Sequence, residues 1–215
     1  MLELNKLYLM DCLEGMKEFP DKYFDLAIVD PPYGIGAGGT NFMNGTRKES
    51  NFHKDNDWDK APPHKEYFSE LERVSATQII WGGNYFTNNL SVTKSWIVWD
   101  KGTGENSYSD GEMAWTNTGN TLKIFKYYWS GANAKEKDQK DRIHPTQKPV
   151  QLYKWILKNY AKPDMKIIDT HVGSGSSIIA FLDYGCEWIG FEIDEDYHKT
   201  AIKRIEIHQM QTKLF

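Results

Sequence analysis

The sequence predicts a single α/β domain built on a mostly parallel sheet. Three observations lead there. Short apolar runs of strand length recur along the chain, several without polar alternation, as in strands covered on both faces. Stretches with helical spacing of apolar residues separate many of them. Towards the C-terminal end a strand, a glycine loop, a helix, a second strand and an acid follow one another, the arrangement of a mononucleotide-binding half-unit. The 215 residues suffice for one sizeable core, and a composition of 40% hydrophobic and 26% charged residues is that of a globular protein.

The run Asp25-Leu26-Ala27-Ile28-Val29 reads as a buried parallel strand that delivers Asp30 to its carboxyl end, where open α/β sheets bind ligands. Pro31 and Pro32 stiffen the next step and offer no N–H, Tyr33 adds a flat aromatic face, and Gly34 lets the chain leave. A carboxylate, a rigid carbonyl and an aromatic plate can together hold a planar group that carries an NH2. The same residue types are also ordinary in a surface turn. Ahead of this stretch, Lys6–Met10 reads as a strand ending at Asp11, and Leu13–Phe19 as a brief helix, which puts Asp11 in a helix-cap position.

From 34 to 60 the periodicity is lost, and a loop of this length is usually functional or disordered. Gly34–Gly39 is no dinucleotide loop, because no helix pattern opens after it. His53 and His64 lie in polar surroundings without metal-ligand spacing and read as exposed. His64–Ala76 carries Tyr67, Phe68, Leu71 and Val74 at helical spacing. Gln78–Trp81 is a strand closed by Gly82-Gly83, and Asn84–Leu90 a short helix with Tyr85 and Phe86 inward. Ser95–Trp99 is a strand ending at Asp100, Lys101–Asp110 a polar loop, and Glu112–Trp115 with Thr121–Phe125 a strand pair.

Net charge is −4, yet residues 123–148 hold seven Lys/Arg against three Asp/Glu, a local +4. Such a run is either a phosphate-contacting stretch or a solvated face. Val150–Tyr160 is an amphipathic helix with Leu152, Ile156 and Leu157 as its stripe. Then come the strand Lys166–Asp169, the loop Thr170-His171-Val172-Gly173-Ser174-Gly175-Ser176, the helix Ser177–Tyr184, the strand Glu187–Phe191 and Glu192. Glycines let the backbone approach a ligand, the helix N-terminus offers free N–H groups, and Glu192 is placed to accept from two ribose hydroxyls. Without a G-x-G-x-x-G pattern, the loop suits a nucleoside whose far end is a carboxylate. Glu195–Gln211 is the last helix. Cys12 and Cys186 form neither a disulfide framework nor a metal cluster, which points to a reducing cytosol. Residues 1–19 lack the apolar core of a signal segment, and no run is long enough to span a membrane.

Taken together, these blocks resemble the exocyclic-amine DNA methyltransferases that use S-adenosylmethionine. The resemblance rests on Asp30-Pro31-Pro32-Tyr33, His144-Pro145-Thr146-Gln147-Lys148-Pro149, Asp169–Ser176, and Gly190-Phe191-Glu192-Ile193-Asp194 with Tyr197, Ala201 and Arg204. Asp11-Cys12-Leu13 is similar to the family's opening segment. The order, with the tetrapeptide ahead of the cofactor loop, is similar to the circularly permuted β-group. One departure is Thr170-His171, where the family usually has Pro-Phe.

The resemblance implies a Rossmann-like, seven-stranded, mostly parallel sheet in a single domain over 1–215, with target recognition inserted at 34–60 and 101–142. It implies methyl transfer from S-adenosylmethionine to adenine N6 of duplex DNA, the target base being flipped out. Asp30 and the Pro31 carbonyl would accept both N–H bonds of the amine, beside Pro32, and Tyr33 would stack on the base. Asp11 would hold the amine of the cofactor's adenine and Glu192 its ribose, with Thr146 and Lys148 at its carboxylate end. Cys12, His144, Asp169, His171, Gly173, Ser174, Gly175, Ser176 and Ile193 complete the expected cofactor site. Cytosine N4 is the alternative target, and a cofactor- or DNA-binding protein without catalysis a third reading. A cytoplasmic protein of bacterial or phage origin is implied; a homodimer and a restriction partner are left open.

Overall fold

The computed structural model describes residues 1–36, 59–104, 109–129, 143–144 and 146–212. The strands are β1 (Lys6–Leu9), β2 (Phe24–Val29), β3 (Ser75–Trp81), β4 (Trp96–Asp100), β5 (Gly111–Thr116), β6 (Lys123–Lys126), β7 (Lys166–Asp169) and β8 (Glu187–Glu192). The helices are α1 (Cys12–Lys17), α2 (Lys65–Val74), α3 (Val150–Tyr160), α4 (Ser176–Tyr184) and α5 (Glu195–Thr212), with a 3-10 turn at Gly83–Tyr85.

The strands form one mixed sheet in the order β1-β8-β7-β2-β3-β5-β4-β6. Among the described strands only β5 runs antiparallel, between β3 and β4. Alternate strand residues feed two apolar layers. Leu26, Ile28, Ile79, Trp81 and Ile167 face α3 and α4. Ala27, Val29, Ile80, Ile168, Ile189 and Phe191 face α2 and the turn after α1. With both faces covered, the central strands need no polar alternation, which is why they read as continuous apolar runs.

Several expectations need correction. The sheet has eight strands, not seven, because β6 adds to the edge, parallel to β4. For the same reason β5 and β6 are not a pair: β4 lies between them. The helix expected to reach Ala76 stops at Val74. Ser75 adopts extended backbone, and its hydroxyl donates to the Leu71 carbonyl, closing the last turn. The stretch after β3 is only a 3-10 turn, and of its two aromatics Phe86 is buried while Tyr85 is about half exposed. His64 is exposed, as expected. His53, most of 34–60, and residues 105–108 and 130–142 of the second stretch assigned to target recognition, with Lys135, Lys137 and Lys140 of the basic run, lie outside the described residues. No described helix is long and apolar enough to cross a membrane.

The stripe of α3 is fully buried at Leu152, Ile156 and Leu157. Ile156→Ala is expected to cost about 2–5 kcal/mol of stability. Urea unfolding checks this, and an unchanged midpoint would mean that α3 does not pack as described.

Candidate active site at the carboxyl edge of the sheet

Because β1, β8, β7, β2 and β3 run parallel, their carboxyl ends share one edge. Four carboxylates line up there on adjacent strands: Asp11 after β1, Glu192 ending β8, Asp169 ending β7 and Asp30 after β2. From β7 the chain crosses through α4 to β8 on one side, and from β2 through α2 to β3 on the other. The strand order therefore reverses between β7 and β2, where open α/β sheets form their ligand crevice.

On the β7–β8 side the glycine loop is held from below. Gly173 and Gly175 have φ of +54° and +77°, a left-handed backbone that glycine adopts without strain. Glu192 accepts from the Gly173 N–H at 2.8 Å and the Asp194 N–H at 2.9 Å. Arg204 donates to the Ser174 carbonyl and the Ser176 hydroxyl, both at 2.8 Å. Asp169 accepts from Ser177 Oγ and, at 3.0 Å, from the His171 N–H, yet burial pushes its carboxyl up to about 7. The His144 ring lies beside Gly173 and 4.3 Å from that of Tyr197. Thr146 Oγ1 is 3.1 Å from His144 Nδ1.

Thr170-His171 has a structural explanation. Thr170 Oγ1 lies 2.7 Å from the Tyr67 hydroxyl and 2.9 Å from His171 Nδ1, and His171 Nε2 is 4.0 Å from Cys12 Sγ. The chain ties the loop to α2 and to the start of α1. Burial pushes His171 down to about 4, only partly opposed by Asp11, so its ring is neutral at neutral pH. Burial, then the neighbouring Asp11, pushes the Cys12 thiol up to about 12, far from a reactive thiolate. Asp11 caps α1, accepting from the Leu13 and Glu14 N–H groups. Ile193 is largely exposed.

On the β2 side the Tyr33 hydroxyl donates to Asp30 Oδ1 at 2.7 Å. Lys148 Nζ bonds Asp30 Oδ2, lies 3.1 Å from the Tyr33 oxygen and pairs with Glu112 at 3.0 Å. Lys101 holds the other oxygen of Glu112 at 2.7 Å. Burial pushes the Asp30 carboxyl up, and Lys148 only partly offsets it. Glu112 is also raised by burial, but Lys148 and Lys101 outweigh this and hold it at about 2. Tyr33 stacks on Tyr85 with centroids 5.0 Å apart and 17° between planes. Gly82 makes room for Tyr33: a Cβ there would stand 2.2 Å from the ring, on a φ of +70°.

The structure thus gathers Asp11, Cys12, Asp30, Pro31, Pro32, Tyr33, the glycine loop and Glu192 along one edge, with His144 and Thr146 beside the loop. Lys148 is 2% exposed and salt-bridged to Asp30, so it does not belong to a solvated or phosphate-contacting basic face. Glu112 and Lys101 were missed, since a charge opening a strand or loop carries no periodic signal, and Gly82 and Tyr85 were read only as a strand closure and an inward aromatic. A weak signal was the acid of Glu112 leading the apolar run Met113-Ala114-Trp115.

A protein-family profile described as DNA methylase (N6_N4_Mtase) matches residues 84–203, more than half of the chain. The chain belongs to this family. Among curated relatives, the type II methyltransferase M.HinfI of Haemophilus influenzae is 25% identical, over 94% of this chain and 68% of its own length. M2.DpnII of Streptococcus pneumoniae is 24% identical, over 94% and 90%. Of solved structures, the M1.HpyAVI–SAM complex aligns with a TM-score of 0.59 at 20% identity, covering 93% of this chain and 98% of its own. The cytosine-N4-specific PvuII DNA methyltransferase aligns with a TM-score of 0.59 at 14% identity, covering 97% and 92%. Both share the fold.

The protein is thus a DNA methyltransferase, and S-adenosylmethionine is its cofactor. The residues present fit that molecule. The left-handed glycines bare the backbone ahead of α4, and Glu192 is fixed at the carboxyl end of β8 with acceptor oxygens suited to hydroxyls.

His171 generates a test of pH dependence. Its folded pKa of about 4 lies below the ordinary 6.5, so the unfolded chain binds a proton first as pH falls. Its contribution to stability is present above pH 6.5 and is lost as pH drops through about 4. His171→Gln should lose less melting temperature than the wild type across that window; parallel curves would show that His171 is not held neutral.

Proposed function

We propose that this methyltransferase modifies the exocyclic N6 of adenine in duplex DNA. The observation that carries the reading is the Asp30 carboxylate: it stands at the end of β2, next to the rigid Pro31 carbonyl and across the strand-order reversal from the glycine loop. Asp30 ahead of that loop fits the permuted order of the β-group.

S-adenosylmethionine, when bound, supplies an electrophilic methyl group. The chain positions what receives it. Glu192 takes the ribose hydroxyls and Asp11 the adenine amine of the cofactor. Asp30 Oδ1 and the Pro31 carbonyl accept the two N–H bonds of the target amine, which draws the nitrogen lone pair out of conjugation. For this Tyr33 must give up its hydroxyl bond to Oδ1, while Lys148 stays on Oδ2. Asp30 is then the nearest acceptor for the proton that the methylated nitrogen gives up. The protein's contribution is position and the exclusion of water. Flipping the base costs on the order of a few kcal/mol, and stacking on Tyr33 offsets about 1–3 kcal/mol of it. Residues 34–60 and 101–142 would read the surrounding sequence.

The test is to methylate mixed-sequence duplex DNA with labelled cofactor and identify the modified base. Label on adenine N6 is expected. Label on cytosine N4 would keep the site and change the substrate, and no transfer at all would favour a binding protein without catalysis. Asp30→Asn replaces an acceptor oxygen by an NH2 and should lower single-turnover methylation by ~10²–10³, by analogy with an oxyanion-hole donor. Cofactor affinity should stay unchanged. Near-normal turnover would make Asp30 a structural residue.

A further inference from the structure

Glu112 is the second residue of β5, the strand opposite β3, and it opens onto a cavity lined by Tyr33, Gly82, Asn84, Tyr85 and Met113. Its two oxygens are divided between two lysines, Oε2 at 3.0 Å from Lys148 and Oε1 at 2.7 Å from Lys101. An ammonium has three N–H donors. Around Lys148 stand three acceptors: Asp30 Oδ2, Glu112 Oε2 and the Tyr33 oxygen. Two come from the end of β2 and the loop after it, and the third from β5. The ammonium is therefore pinned between strands that are separated by β3 in the sheet. The two carboxylates and two lysines of this cluster sum to zero charge. Without Glu112, a nearly inaccessible ammonium would have one carboxylate left. It would close onto both oxygens of Asp30, including the Oδ1 that Tyr33 now occupies.

We propose that Glu112 is a positioning residue for methyl transfer: by holding Lys148 away from Asp30 Oδ1, it leaves that oxygen to the Tyr33 hydroxyl, a neutral donor that the target amine can replace. The inference rests on the role of Asp30 proposed above. Glu112 itself touches neither the amine nor the methyl donor; it acts through the lysine. Asp30, Glu112, Tyr33 and the Trp81 ring face Lys148 directly. Lys101 faces Glu112 from the far side, and Tyr153 of α3 and Asp169 of β7 face Asp30. Removing the Glu112 charge takes a like charge from Asp30 and leaves it the whole of Lys148. The acid limb of the pH–rate profile should therefore move to lower pH, which a general loss of folded protein would not do.

The experiment is single-turnover methylation, normalised to active sites titrated with cofactor, for Glu112→Gln, Lys148→Met and the double variant. Glu112→Gln should slow transfer roughly tenfold to a hundredfold, as expected when a buried charge loses its partner. Cofactor affinity should hold, the acid limb should shift, and Glu112→Asp should restore part of the rate. With Lys148→Met already present, Glu112→Gln should change little more, because the two act as one unit. A wild-type rate and limb in Glu112→Gln, or the same loss in both backgrounds, overturns the inference. If Glu112→Gln does not fold, Lys101→Met loosens only the outer oxygen; it should slow transfer less, and no slowing overturns the inference. Asp30→Asn separates the two proposals. Normal turnover there removes the role of Asp30 itself, whereas slow Asp30→Asn beside unimpaired Glu112→Gln removes only that of Glu112.

Discussion

A buried ammonium must be paired, and Lys148 is the pairing on which this site is built. Its charge is almost inaccessible to water, so the fold has to bring it carboxylates, and Asp30 and Glu112 are what it brings. The lysine lies just before α3, Asp30 just after β2 and Glu112 within β5. Losing either acid would leave uncompensated charge in the interior, a cost that no neighbouring apolar contact recovers. Placing these groups correctly is therefore a condition on the sheet as well as on the chemistry. It ties the antiparallel β5 to the parallel half of the sheet through side chains as well as backbone.

The parallel half sets the rest. Parallel strands send every carboxyl end to one edge, so acids far apart in sequence become neighbours without any local contact. Asp11 and Glu192 end paired strands, with Leu9 in register with Glu192. The reversal of strand order between β7 and β2 then leaves the crevice open between Asp169 and Asp30. The glycine loop and the Asp30 loop meet across it from opposite ends of the chain. Thr170 and His171 add a buried link from that loop to Tyr67 and Cys12, so the loop is braced by neutral hydrogen-bonding groups.

What could be read in the sequence follows from this division. Periodicity and end signals report local structure, so α3 and β7 were bounded correctly and α4 and β8 to within a residue. The acids at strand ends could be read for the same reason, since Asp30, Asp169 and Glu192 each close an apolar run. Pairing is non-local and was read poorly: β5 and β6 looked like neighbours because they are close in sequence, and β4 separates them. The place of Lys148 in the basic run was misread for a related reason: a lysine in such a stretch looks solvated until the two carboxylates that pair with it are known, and one of them, Glu112, carried only a weak signal.

The arrangement of Tyr33 bears on how the proposed reaction would choose a base. Its hydroxyl donates to Asp30 Oδ1 and one face of its ring rests on Tyr85. An entering base must replace both contacts. An amine can donate to Oδ1 in place of the hydroxyl, and its ring can take the place of Tyr85, so the exchange is nearly even. A base edge that presents a carbonyl oxygen there would set acceptor against acceptor, lose the Tyr33 bond and gain none. Sites that hydrogen-bond their substrate reject analogues strongly for this reason, because the penalty falls on buried groups left unpaired. In this methyltransferase the rejecting element would be the carboxylate that also activates the amine, and the lysine behind it offsets part of the burial that raises its pKa.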